Sequence, residues 1–207
     1  MNILEKIKTI INKNVKYDSR FFNNQWFNNW NDLKYILESL INSTGEYSNI
    51  IDYGCGPGVM IDFMNEDKKY NYYGYDNSAD AFDLYLINYG ANPNKYLREK
   101  KQLTEIPWDL CVSFDVLEHM ENIEIEETFS YEGNFNKLFL NISREKHIKG
   151  HINIKNNDDW ISFIENIGYS FNEIETDLVR NSYLNLKHQG EDKWNENLFI
   201  FVKNHKL

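Results

Sequence analysis

The 207-residue sequence has two cysteines, three prolines and no apolar run long enough to cross a bilayer. Cys55 and Cys111 stand in separate segments without metal-ligand spacing. They exclude a disulfide framework and suit free thiols in a reducing compartment, so a cytoplasmic protein is expected. Basic residues are the minority: 22 Lys and Arg against 32 Asp and Glu leave a net charge of −10. A protein that grips a phosphate backbone usually carries a basic stripe, because its affinity comes from neutralising phosphates. The nearest approach, "REKK" at 98–101, is short and mixed, so nucleic acid is disfavoured as a partner. The segment "MNILEKIKTIINKN" is too broken by charge for a signal core. Its Ile3, Leu4, Ile7, Ile10 and Ile11 instead space as one face of an amphipathic helix docked on its own domain.

What is present is a hydrophobic fraction of 42% and an aromatic fraction of 15%, enough for a globular core in one domain. Strands and helices alternate. "SNIIDYG" predicts a buried strand, "VMIDFMNED" a helix, "YNYYGYD" a second strand and "SADAFDLYLINYG" a helix closed by Gly90. "KYLRE" and "WDLCVSFD" predict the third and fourth strands, "VLEHMENIE" the start of a helix, and "FNKLFLNIS" the fifth strand. "NDDWISFIENIG" predicts a helix capped by Asn157 or Asp158, with Gly168 just past its end. "YSFNEIETDLV" and "NENLFIFVKN" read as two closing strands without a clear helix between them. The pattern predicts an α/β fold: a doubly wound, mostly parallel seven-stranded sheet with an antiparallel last strand and helices on both faces. Ligands of such sheets bind outside the carboxyl ends of the strands.

One of those ends reads Asp52-Tyr53-Gly54-Cys55-Gly56-Pro57-Gly58. The spacing is G-x-G-x-G, and Val59 stands where a dinucleotide loop has its third glycine. The Gly-Lys-Ser/Thr of a nucleotide-triphosphate loop is absent. Asp52 would repel a pyrophosphate and attract an ammonium. Asp76 falls 18 residues after Gly58, where a carboxylate can accept both hydroxyls of a ribose. An acid for an ammonium, glycines for close approach and an acid for a ribose, with no phosphate cradle, match S-adenosylmethionine.

On these residues the chain resembles the class I S-adenosylmethionine-dependent methyltransferases. "IIDYGCGPG" is similar to their first motif, "YYGYDNS" to their second, and "WDLCVSFDVLEHM" to the strand and helix that follow. "GHINIKNNDDWISFIENIGYSF" resembles a later segment. The resemblance implies one methyltransferase domain over 1–207: an N-terminal helical segment or lid at 1–47 and a Rossmann-like core at 48–207. It implies that Asp52, Tyr53 and the loop Gly54, Cys55, Gly56 and Gly58 face the methionine part. Asp76 would bind the ribose with Asn77 beside it, Phe114 and Asp115 would sit by the sulfonium, and Arg20 could pair with the methionine carboxylate. The family's acidic adenine contact after the third strand has no clear counterpart in "YLREKKQLTEIPWD", where Glu99 is the nearest residue.

Oxygen methylation needs a base near pH 7 or a metal. His119, in "DVLEHM", and His151, after the fifth strand, are the candidate bases, and either could act. Asp115, Glu118 and His119 form D-x-x-E-H, similar to the E-x-x-E-H metal site of some O-methyltransferases. The first acid is the shorter Asp and many relatives with "DVLEH" hold no metal, so no metal ligand is assigned. The expected activity is methyl transfer to a small polar acceptor, such as a sugar hydroxyl, without membrane involvement. The alternatives are a nucleic-acid or protein methyltransferase and a non-catalytic protein that keeps the cofactor pocket.

Overall fold

The computed structural model describes residues 37, 41–66, 70–132, 134–186 and 195–204. The predicted N-terminal helix, the aromatic segment with Arg20 and most of the "LKHQGEDKW" loop lie outside them. The seven strands are β1 (Asn49–Tyr53), β2 (Asn71–Tyr75), β3 (Tyr96–Leu97), β4 (Leu110–Phe114), β5 (Lys137–Asn141), β6 (Tyr169–Phe171) and β7 (Leu198–Lys203). They form one sheet in the order β3-β2-β1-β4-β5-β7-β6. From β3 through β5 every pairing is parallel, and β7 runs antiparallel to both β5 and β6. The predicted mostly parallel sheet with an antiparallel last strand is therefore the observed one.

The helices are α1 (Val59–Asn65), α2 (Ala79–Asn88), α3 (Asn122–Glu126), α4 (Asn157–Asn166) and α5 (Glu173–Leu186). They cover both faces, which is why the central strands are apolar on both sides: all five residues of β4 are buried. On one face Ile125, Phe129, Trp160 and Ile164 pack against Ile51, Cys111, Leu138 and Leu140. On the other, Met60, Met64, Val179 and Tyr183 pack against Ile50, Val112, Phe139 and Ile200.

Three local expectations change. "YSFNEIETDLV" is strand only to Phe171, and Glu173 begins a 14-residue helix. Asn172 Oδ1 accepts the Glu175 N–H at 3.1 Å, and Thr176, Val179 and Tyr183 are buried at helical spacing. β6 and β7 are thus an antiparallel pair joined through a helix. "VLEH" forms a single 3₁₀ turn at Leu117–His119, and the helix starts at Asn122, where Glu121 and Glu124 make a reciprocal capping box. His119 therefore sits in a 3₁₀ turn and not in the helix that "VLEHMENIE" is expected to start. The cap of α4 is Asn156, whose Oδ1 accepts the Asp159 N–H at 2.8 Å.

The loop after β1 is tied to the end of β2. Gly54 and Cys55 N–H both donate to the Tyr75 carbonyl, at 2.8 and 3.1 Å. Gly54, Gly56 and Gly58 all take left-handed φ, of 81°, 52° and 68°. A Cβ on Gly54 would meet Val116 Cγ2 at 2.4 Å, and one on Gly58 would meet Tyr85 at 2.8 Å. Gly54→Ala should cost about 2 kcal/mol or more in urea unfolding, from backbone strain plus the clash. In a Val116→Ala background part of that loss should return, and fully additive effects would show that Val116 does not carry the clash.

Candidate active site

The carboxyl ends of β1, β2, β4 and β5 meet at the point where the strand order reverses, between β1 and β4. Asp52 lies near the end of β1 and is buried, at 5% exposure. Burial pushes its carboxyl up to about 7, with the nearby charge of Asp76 adding to the rise. Asp76 follows β2. Its Oδ2 accepts the Gly56 N–H at 2.9 Å and its Oδ1 the Ser78 N–H at 2.8 Å. Those two bonds aim the carboxylate and leave it further lone pairs for ligand hydroxyls. The Tyr96 hydroxyl donates to the Gly56 carbonyl at 2.6 Å, holding the loop from its other side.

Among the residues assigned to the cofactor, the side chains of two point elsewhere. Tyr53 is turned into the core, stacked on Tyr75 at 5.1 Å with its hydroxyl 3.3 Å from Thr128 Oγ1. Cys55 is buried in a small cluster with Ile61, Tyr85 and Tyr96. Only their backbones can face a ligand. Asn77 is exposed beside Asp76. Phe114 is buried, edge-on to Phe139 at 5.2 Å. Glu99 caps the 3₁₀ turn Lys100–Thr104 and pairs with Lys101 at 2.7 Å, so its carboxylate is already engaged.

Beyond Phe114, the chain turns sharply. Asp115 takes φ 53°, the one non-glycine residue with positive φ among the described residues. Burial pushes its carboxyl up to about 7, and Glu145 adds to that. The turn delivers Glu118, which is fully buried. Glu118 Oε1 accepts the Ser143 N–H at 3.1 Å, while Oε2 has no hydrogen-bond partner among the described residues. Its carbonyl receives the N–H groups of Ile152 and Asn153, at 2.9 and 3.0 Å, pinning the turn to the segment that carries His151.

His119 and His151 meet edge to face, ring centroids 4.7 Å apart. His151, given by the sequence as a candidate base after the fifth strand, is buried. Burial holds the His119 imidazole down to about 4, with His151 contributing, and burial also lowers His151. Both rings are neutral at pH 7. His151 Nδ1 lies 2.8 Å from the Glu145 carbonyl, which can only accept, so Nδ1 carries the proton. That leaves the Nε2 lone pair 3.9 Å from Glu118 Oε1. One ligand atom from each of Glu118, His119 and His151 lies within 4.8 Å of the others, a set that could hold a metal ion. The sequence assigned no metal ligand. Glu118 was visible only as part of D-x-x-E-H, and nothing in the chain order shows that a residue 33 positions after it closes the cluster.

The fold is a doubly wound α/β sheet with a glycine loop and two acids, Asp52 and Asp76, gathered at its switch point. The family model described as a methyltransferase domain matches residues 30–131. The methyltransferase domain of a bacterial Hen1 superposes with a TM-score of 0.57 at 10% identity, over 84% of this chain and 98% of that one. The 16S rRNA methylase ArmA gives a TM-score of 0.55 at 11% identity, over 98% of both chains. Magnesium protoporphyrin IX methyltransferase from Synechocystis PCC 6803, solved with bound S-adenosylmethionine, gives 0.53 at 16% identity over 86% of this chain and 79% of that one. At such identities the structural likeness is one of fold. No curated protein matches the sequence closely enough to count as a relative. Residues 30–131 thus match a methyltransferase domain, and the fold is that of the class I S-adenosylmethionine-dependent methyltransferases. One neighbour's name specifies ribosomal RNA. No helix of the described residues is long and apolar enough to cross a membrane.

Asp52 makes a pH prediction. Its folded carboxyl titrates near 7 against about 4 in the unfolded chain, so between those values the folded state holds the extra proton. The part of the ligand-free protein's stability that Asp52 contributes should therefore fall as pH rises from about 4 to about 7, by a few kcal/mol. Urea unfolding across that range checks it. Asp52→Asn should flatten the slope, and an unchanged slope would contradict the assignment.

Proposed function

We propose that this methyltransferase acts on a hydroxyl of a small polar acceptor, such as a sugar or other metabolite, and that Glu118, His119 and His151 hold a divalent cation beside the acceptor. The observation that carries the reading is the buried Glu118–His119–His151 cluster. The residues fit a cation. Glu118 Oε2 is a buried oxygen without a hydrogen-bond partner among the described residues, and both imidazoles are neutral and so offer lone pairs. The Glu145 carbonyl, the Gly150 backbone and the Ser143 N–H orient the three side chains from outside the cluster. When bound, such a cation polarises an acceptor hydroxyl and eases loss of its proton.

The chain's own residues do the rest. Asp76 holds the ribose, Asp52 faces the ammonium, and the loop Gly54–Gly58 lets the cofactor lie against the backbone. Phe114 and Asp115, at the end of β4, sit by the sulfonium. In the absence of a cation, His119 or His151 would serve as the base, since each is neutral at pH 7. The segment 1–47 is proposed as the lid, with Arg20 on the methionine carboxylate, and 48–207 as the core of the same domain.

Two measurements test this. Calorimetry with S-adenosylhomocysteine should show binding that Asp76→Ala weakens by roughly 100-fold, the value of two charge-assisted hydrogen bonds. Calorimetry with Mn²⁺ should show one site that is lost in Glu118→Ala, with S-adenosylhomocysteine binding kept. Full turnover after exhaustive chelation would remove the cation. Transfer of a labelled methyl from the cofactor to nitrogen, carbon or a macromolecule in a cell extract would overturn the acceptor class.

A further inference from the structure

We infer that Asn141 is a binding residue for the amino-acid end of S-adenosylmethionine, an inference that rests on the methyltransferase reading. Asn141 ends β5 and is fully buried, at 0% exposure. Neither its Oδ1 nor its Nδ2 has a hydrogen-bond partner among the described residues. Its backbone is satisfied, the carbonyl accepting the Asp115 N–H at 3.0 Å, so only the side chain is left over. Its sheet neighbours are Phe114 on β4 and Leu198 on β7, both apolar and buried. Folding alone would favour a leucine at such a position, because a buried amide without partners destabilises the fold.

The register shows which side it faces. Asn141 pairs with Phe114, and Asp52 pairs with Val112, two residues earlier on β4. Side chains alternate along a strand, so Asp52, Phe114 and Asn141 project from the same face of the sheet. Asp52 and Asn141 therefore flank the end of β4 on its two sides, one carboxylate and one amide. A cofactor whose ribose is held by Asp76 on β2 extends its other end across β1 toward β4 and β5. That end is zwitterionic. An amide is the side chain that serves both charges: Oδ1 accepts from an ammonium and Nδ2 donates to a carboxylate. Asp52 alone offers nothing to the carboxylate.

The test compares two probes, S-adenosylhomocysteine and 5′-methylthioadenosine, which lacks the amino-acid end. In Asn141→Leu, calorimetry should show S-adenosylhomocysteine binding weakened by about 10-fold or more, with 5′-methylthioadenosine binding unchanged. The ligand-free variant should melt at the same temperature or higher. Equal affinity of wild type and variant for S-adenosylhomocysteine would overturn the inference, as would equal losses for both probes. A lower melting temperature in both Asn141→Leu and Asn141→Val would show the amide bonded within the fold, which also overturns it. Absence of binding by the wild-type protein would instead sink the methyltransferase reading itself.

Discussion

The bonds that tie the loop after β1 to the end of β2 are what the site rests on. Two N–H groups converge on the Tyr75 carbonyl, and one residue later the Gly56 N–H meets the Asp76 carboxylate. Each parallel pairing in the sheet is non-local, so β1 and β2 must already be in register before these bonds form. Once they form, three alternate left-handed glycines, Gly54, Gly56 and Gly58, are held in a conformation that a free chain would not keep. The same bonds aim Asp76. A ribose-binding acid and a glycine cradle are therefore one construction and not two motifs that happen to lie close together.

Burial sets the chemistry of the remaining groups. Asp52, Asp115 and Glu118 are all acids pushed toward their neutral forms, and both histidines are pushed toward theirs. The direction is common because the cause is common: a low-dielectric pocket penalises charge of either sign. Such a pocket holds its acids near neutral until a cationic ligand, such as a sulfonium with an ammonium tail, draws them toward ionisation. It also leaves the imidazoles as lone-pair donors at neutral pH, which is the state that a base or a metal ligand needs.

Much of the fold was legible because parallel strands covered on both faces leave a plain mark. "SNIIDYG", "WDLCVSFD" and "NENLFIFVKN" are strands where apolar runs and neighbouring turn residues put them. The misreadings came where patterns overlap. "NEIETDLV" carries β-branched residues at a spacing that serves either a strand or a helix. Asn172 as a cap and the burial of Thr176, Val179 and Tyr183 decided for the helix. "VLEHMENIE" lost its first turn of helix to a 3₁₀ turn, because Ile152 and Asn153 claim the Glu118 carbonyl from outside. Tyr53 and Cys55 sit inside the glycine motif, yet strand alternation and core packing send their side chains away from it.

The sequence by itself determined the alternating α/β order, the glycine loop and the two acids at 52 and 76, because each depends on local spacing that a chain carries in its order. Only the tertiary structure decided that His151 is buried against His119, that Glu118 joins them, and that Asn141 stands beside Phe114 with no side-chain partner among the described residues. These residues come from β4, β5 and the turns after them. Their meeting depends on a parallel pairing whose register is set by the whole core, and no spacing along the chain records it.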